Sequence, residues 1–281
     1  MEPTTKVFVF SEQFQILQPK ELINEDVLVR IGDNWDGGYI VPNSALQYVD
    51  QIVSYGLGNN FSFEKDFRDK KIVNVKVYDH SVDYRSMIRE ILHTFAYICK
   101  LRNTRFHCAQ LKVKIGFIKS YRQFFSNDQT SHLKNRIVGE VRLEGDLSVL
   151  NTVKDLKFDR NLLKMDIEGF EYEVLPHLIE HLPKFFCMCI EFHDVSRNSA
   201  QFLEMVSAIG STHSIVHTHT NNAGRFEEGV ADILELTFLK NSHTSQNYAT
   251  HKLPIKGLDY ANSPSQHDPE IHFRESDSKN F

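Results

Sequence analysis

The stretch Leu162-Leu163-Lys164-Met165-Asp166-Ile167-Glu168-Gly169-Phe170-Glu171 decides how this chain is read. The run from Leu162 to Met165 is mostly apolar and has the length of a buried strand. The acidic stretch from Phe170 to Leu175 reads as the start of a helix. Between them, Asp166 and Glu168 leave the strand just where the chain turns. Gly169 lets the backbone turn tightly, and the new helix end favours negative charge. In open α/β sheets, ligands bind outside the carboxyl ends of the strands, so chemistry is expected here.

The segments on either side follow the same alternation of strand and helix. Val27 to Ile31 reads as a short strand leading into the turn-rich Gly32-Asp33-Asn34-Trp35-Asp36-Gly37-Gly38-Tyr39. Gln51 to Tyr55 is an apolar strand closed by Gly56-Leu57-Gly58-Asn59-Asn60. Phe63 and Phe67 give the next segment helical spacing, and Val73, Val75 and Val77 share one face of a strand ending at Asp79. Tyr84 to Leu101 predicts an amphipathic helix. Phe106 to Ile118 is expected to contain a strand, and Ser120 to Asn135 an insertion overhanging a site. After the central motif come a helix to His181, a strand from Phe185 to Phe192 and a helix from Ser199 to Ile209. Two strands close the series, Ser214 to Thr218 and Ile233 to Leu239, with a hairpin-like loop, Asn221 to Gly229, between them. The alternation implies a mostly parallel sheet covered on both faces. The last connection is too short for a helical crossover, so one of the closing strands runs antiparallel.

Totals bound this reading. A chain of 281 residues with 41% hydrophobic and 25% charged residues fits one α/β domain with insertions. A net charge of −5 argues against a general nucleic-acid binder. Met1 to Phe10 has no signal-peptide pattern, and no window reaches the length of a membrane span; Ile88 to Cys99 is broken by Arg89, Glu90 and His93. Cys99, Cys108, Cys187 and Cys189 lack paired metal spacing and read as buried free thiols, which favours a reducing, cytoplasmic setting; an anchor could still be missing from the chain. Residues 1–26 read as an N-terminal extension, 27–241 as the main domain and 242–281 as a polar tail, extended or partly disordered.

Two further clusters carry chemistry. Glycines after the first strand let the backbone approach a nucleotide-like ligand, and Asp79, about twenty residues on, can accept hydrogen bonds from ribose hydroxyls. Alone, each is explained as well by a tight turn or a solvated acid. The second cluster is Glu191-Phe192-His193-Asp194 with His217-Thr218-His219. Alternation puts Glu191 with His193, and His217 with His219, at strand ends expected beside the Asp166 strand. Asp166, Glu168, Glu191, His193 and His219 would then converge on one cleft. A His or a carboxylate there serves as general base; a divalent metal is the other reading. General base catalysis is favoured because no tight ligand spacing is present. Phe124, Phe125 and His132 either shape an acceptor pocket or belong to the core. Arg85, Arg89, Arg102 and Arg105 read as the solvated side of a helix and its exit.

The glycine turn, Val77-Tyr78-Asp79 and the Leu162 to Glu171 motif together resemble the FkbM-type methyltransferases, which depend on S-adenosylmethionine. Arg30-Ile31-Gly32 with Asp36-Gly37-Gly38-Tyr39 resembles a segment preceding the core in a eukaryotic methyltransferase-like branch of that group. The resemblance implies a Rossmann-like α/β fold with a seven-stranded sheet, helices on both faces and the last strand antiparallel. It implies a methyltransferase domain over 27–241, and cofactor contacts from Tyr55, Gly56, Gly58, Asn59, Asp79 and Asp166. By analogy with the family the methyl goes to a hydroxyl of a sugar or small metabolite; the clustered Asp166, Glu191, His193 and His219 are the candidates for the catalytic group, with a divalent metal the less favoured alternative. Ser54 and Asn60 depart from the common first motif, where an acid and a glycine stand. Glu64 or Asp166 would then receive the cofactor's amino group. The departure also keeps open a catalytically silent cofactor-binding protein. A metal-dependent hydrolase using Asp166, Glu191, His193 and His219 is a third reading.

Overall fold

A computed structural model describes residues 6–99 and 104–273. Its centre is a seven-stranded sheet. The strands in chain order are β1 (Gln51–Tyr55), β2 (Asn74–Tyr78), β3 (Thr130–Leu133), β4 (Asn161–Met165), β5 (Phe185–Phe192), β6 (His213–Thr220) and β7 (Leu234–Lys240). Their spatial order is β6-β7-β5-β4-β1-β2-β3. The pairs among β1 to β5 are parallel, whereas β7 runs antiparallel to both β5 and β6. The predicted architecture therefore holds, and the short final connection places the last strand between its two predecessors.

Every residue of β4 and of β5 is buried, the pattern of strands covered on both faces. Alternation divides their side chains between two cores. Val53, Tyr55, Leu163, Met165, Met188 and Ile190 face one side, with Phe192 and Phe202. Ile52, Leu162, Cys187 and Cys189 face the other, with Phe63, Phe67, Val75 and Val77. The flanking helices are α1 (Ser62–Lys70), α2 (Tyr84–Cys99), α3 (Thr104–Phe124) and α4 (Ser199–Gly210).

Several expectations are refined or corrected. Phe106 to Ile118 is part of helix α3, not a strand, and the Ser120 to Asn135 segment supplies the end of that helix and edge strand β3. The alternation of Leu111, Val113 and Ile115 imitates a strand, yet Val113 and Ile115 are exposed. Phe117, Tyr121 and Phe124, at helical spacing, instead pack on Phe61. Of the two readings of the tail, its described length takes the extended one, and it is paired: Thr244–Tyr248 with Lys20–Leu22, and Glu270–His272 with Val7–Val9. Phe10, Phe14 and Leu17 are fully buried in the core beside Phe202, so the N-terminal segment is packed as well. Among the thiols, Cys187 and Cys189 are buried as expected, but Cys108 is exposed. Arg102, and the side chains of Cys99 and Arg105, lie outside the described residues.

Two departures bring the site together. Val27 to Ile31 does not join the main sheet; Leu28–Ile31 forms an antiparallel hairpin with Tyr39–Pro42, held to β7 by the Thr237 hydroxyl donating to the Ile40 carbonyl at 2.6 Å. At the exits of β1 and β4 the backbones nearly touch: a Cβ built on Gly56 would lie 1.7 Å from the Asp166 carbonyl oxygen, and Gly56 has φ +83°. Gly56→Ala is therefore expected to destabilise the fold by well over 1 kcal/mol. At Gly58 (φ +53°) an added Cβ meets nothing, so Gly58→Ala should cost only the backbone term, about 1 kcal/mol. Urea denaturation of the two variants measures this, and equal midpoints would contradict the contact.

Candidate functional site

The glycine turn is shaped by Asp79. Its Oδ2 accepts the amides of Leu57 (2.7 Å) and Gly58 (2.9 Å), and its Oδ1 accepts the amide and hydroxyl of Ser81, both at 2.6 Å. Burial pushes its pKa up, but the Ser81 hydroxyl and the three amides outweigh this and hold the carboxyl below its ordinary range. All four acceptor positions are thus filled from within the chain. Asn60, standing where a glycine was expected, accepts the Ser62 amide at 2.8 Å and donates to the Asp36 carbonyl at 2.8 Å. It ties the hairpin turn to the start of α1.

A cavity of about 500 Å³ opens beside this turn. Gly56, Gly58, Asn59, Asp79 and Asp166 line it, and so do Asp36 and Lys164. Tyr55 does not: its ring is fully buried in the core and its hydroxyl bonds to Thr152. Glu64 is also withdrawn, because the Ser54 hydroxyl donates to it at 2.5 Å inside the core. The residue replacing the expected acid therefore binds an acid from α1. Phe124 and Phe125 pack around Phe61, and His132 bonds the Asp79 carbonyl at 2.9 Å, so this group supports the fold from behind the turn.

Asp166 connects the cavity to the second cluster. The Tyr39 hydroxyl lies 3.4 Å from Asp166 Oδ2 and 3.2 Å from Glu191 Oε2, and Lys164 Nζ reaches Asp166 at 3.4 Å and the Gly56 carbonyl at 2.9 Å. Asn221 donates to Glu191 Oε1 at 3.0 Å. Burial raises the Glu191 pKa well above the carboxylate range, and Asp166 and Glu235 add to the rise. Lys164 is buried, which lowers its pKa, yet the charges of Asp166, Glu64 and Glu191 more than reverse this.

His193 sits among four carboxylates. Its Nδ1 is 3.2 Å from Glu171 Oε1, and its Nε2 is 3.6 Å from Glu168, 3.7 Å from Glu191 and 4.0 Å from Asp166. Glu171 is fully buried, and the same Oε1 accepts the amides of Ile167 (3.1 Å) and Gly169 (3.3 Å). It therefore holds the acidic turn and the imidazole together. Burial lowers the His193 pKa, but the bond to Glu171 and the charges of Glu171, Glu191 and Asp166 push it up to about 9.

His219 is not brought to this group. On β6 it pairs with Glu235 of β7, which in turn pairs with Glu191 of β5. The intervening strand sets it back by roughly 10 Å. Both its nitrogens are engaged, by Glu235 at 3.1 Å and Asp268 at 2.9 Å, while His217 bonds Asp259. The two histidines fasten the tail to the sheet. Sequence reasoning did not assign Tyr39, Lys164, Glu171 or Asn221 a role among the carboxylates. A lysine inside the apolar run of β4 was the signal available for Lys164; Tyr39 stands in Asp36-Gly37-Gly38-Tyr39, readable as a flap over the cofactor or a simple turn, and Asn221 belongs to the polar run that begins at His217.

The sheet order and the cavity at the strand ends define an α/β fold of the Rossmann-like kind. Residues 116–214, which include Asp166, Glu191 and His193, match the family model described as Methyltransferase FkbM domain. No curated protein matches the sequence. Among solved structures, precorrin-6y C5,15-methyltransferase from Geobacter metallireducens GS-15 is 11% identical, covering 70% of this chain and 85% of its own, with TM-score 0.34. The fibrillarin pre-rRNA processing protein of Methanococcus jannaschii is 12% identical over 80% and 88%, with TM-score 0.36. TrmK from M. capricolum, solved with S-adenosyl-homocysteine, is 9% identical over 73% and 70%, with TM-score 0.37. Likenesses this distant carry no argument about chemistry.

Two outcomes follow from the titrating groups. The folded His193 pKa of about 9 lies above the unfolded value near 6.5. Its stabilisation is thus complete below about pH 6.5 and lost as pH rises through 9. Denaturation in chelator-containing buffer from pH 6 to 10 should show that loss, and His193→Gln should flatten it; an unchanged slope would count against the assignment. His219→Ala strands the buried Glu235 and the partly buried Asp268 carboxylates and should destabilise the protein by about 3 kcal/mol. Turnover per folded molecule should stay near the parent value, and a selective loss of turnover would restore His219 to catalysis.

Proposed function

We propose that this chain is an S-adenosylmethionine-dependent methyltransferase acting on a hydroxyl, the acceptor being a sugar or small metabolite. The observation that carries the reading is a single cavity joining the glycine turn and Asp79 to the Asp166 carboxylate, behind which the Tyr39 hydroxyl links Asp166 to Glu191. The cavity fits the group: Gly58 faces open space where a side chain would stand. When bound, S-adenosylmethionine supplies a methyl carbon made electrophilic by its sulfonium. Gly56, Gly58 and Asn59 would lie along it, and Asp79 would hold the ribose edge, with Ser81 giving up Oδ1. Asp36 and Asp166 line the cavity and replace buried Glu64 as receivers of the amino group.

The acceptor hydroxyl would sit at the Asp166 end. Asp166 takes its proton, while Tyr39 and Lys164 steady the carboxylate. His193 keeps its own proton up to about pH 9, so at neutral pH it balances the surrounding acids instead of acting as the base. A group aligned to remove the proton in the transition state contributes typically 10²- to 10⁴-fold.

Calorimetry with S-adenosylmethionine and S-adenosylhomocysteine tests the cofactor, and transfer to a panel of hydroxyl-bearing sugars tests the acceptor. Asp79→Ala should weaken cofactor binding by about tenfold or more, equivalent to about 1.4 kcal/mol. Asp166→Asn should lower turnover by roughly 100-fold or more. Failure of the parent to bind either cofactor form would remove the reading; binding without transfer to any acceptor would favour a silent protein.

A further inference from the structure

The environment of His193 Nε2 is electrostatically unbalanced. Nδ1 is held by buried Glu171, which fixes the ring's orientation. Nε2 then points at Asp166 Oδ1 and Glu168 Oε2 and makes no hydrogen bond among the described residues, its nearest carboxylate lying at 3.6 Å. Glu168 is placed there at a conformational cost. It has φ +55°, unusual for a residue with a side chain, and that side chain is otherwise 87% exposed. One ligand atom from each of Asp166, Glu168 and His193 falls within 4.8 Å of the others. Ligands about 2.0–2.2 Å from a shared ion stand roughly 3–4.4 Å apart, so a contraction of a few tenths of an ångström closes the set. The Glu191 carboxyl stands 3.7 Å from Nε2, directly behind this set.

We propose that Asp166, Glu168 and His193 form a binding site for a divalent cation of the manganese or magnesium class. Two carboxylates and one imidazole favour a hard to borderline ion over copper or a thiolate-seeking metal. Glu171 occupies the outer position, orienting the imidazole through Nδ1 as metal-bound histidines require, and the ion displaces to solvent the Nε2 proton that balances the acids in its absence. Three protein ligands leave coordination positions open toward the cavity that Asp166 and Glu168 line. An acceptor hydroxyl there would be bound by the ion and made more acidic. This role rests on the methyl-transfer reading; the binding site itself does not.

The test uses the full chain, stripped with chelator and titrated with Mn²⁺, followed by calorimetry and by loss of the free-ion electron paramagnetic resonance signal. The expected result is one Mn²⁺ per chain. Glu168→Gln, a change at an exposed side chain, should weaken binding at least tenfold with an unchanged melting temperature, and His193→Ala should weaken it further. Glu171→Gln should weaken binding less than His193→Ala, because it touches the ion only through the imidazole. No saturable Mn²⁺ binding by the parent, or full binding by Glu168→Gln, would overturn the site. S-adenosylmethionine affinity measured on the same stripped protein separates the two ideas. Cofactor binding without Mn²⁺ binding sinks this inference alone, and Mn²⁺ binding without cofactor binding sinks only the methyl-transfer reading.

Discussion

The near-contact between the Gly56 and Asp166 backbones is the constraint on which the site depends. β1 and β4 are neighbours, so their exits must pass each other within one strand spacing. Only a residue without a Cβ allows the passage, and the amide of Asp166 then bonds the Tyr55 carbonyl at 2.9 Å. From there the glycine turn is carried toward Asp79, and the acidic turn toward β5. Lys164 spans the junction by bonding the Gly56 carbonyl and Asp166 together. The cavity and the carboxylate cluster share one wall because these two turns share one contact.

Charge is the second constraint. Asp166, Glu168, Glu171 and Glu191 gather around one imidazole and one ammonium, and three of the acids come from a six-residue turn. Buried acids that repel one another raise pKa values, as at Glu191, or recruit cations. The protein uses proton, lysine and tyrosine hydroxyl for this purpose, and His193 takes the largest share. A site so arranged concentrates unfavourable charge at the edge of the cavity.

What was legible in the sequence was local. The apolar run into Asp166, the glycine turn and Asp79 all lie within short segments whose chemistry reads directly, and the fold followed from their alternation. The α3 helix was misread because Leu111, Val113 and Ile115 alternate by chance on a helix whose outer face is apolar. Strand alternation alone puts His219 at a strand end facing the cleft. The insertion of β7 between β5 and β6, which carries it away, rests on non-local pairing that no short window records. Glu171 looked like an ordinary first-turn acid of a helix, and only the fold turns it toward His193. Tyr39 is 127 residues from Asp166, and its role depends on a hairpin docked by Thr237.

The terminal ribbons have a consequence beyond holding the ends of the chain. β6 is the outermost strand of its side of the sheet, eight residues long and buried almost throughout. An uncovered strand of that length offers a ladder of free amides and carbonyls to any other chain. Here Thr218 donates to the Leu17 carbonyl, and Asp259 and Asp268 close over His217 and His219. The segments around Leu17, Asp259 and Asp268 thus sheathe the sheet margin and leave little of that edge open to pairing with another chain.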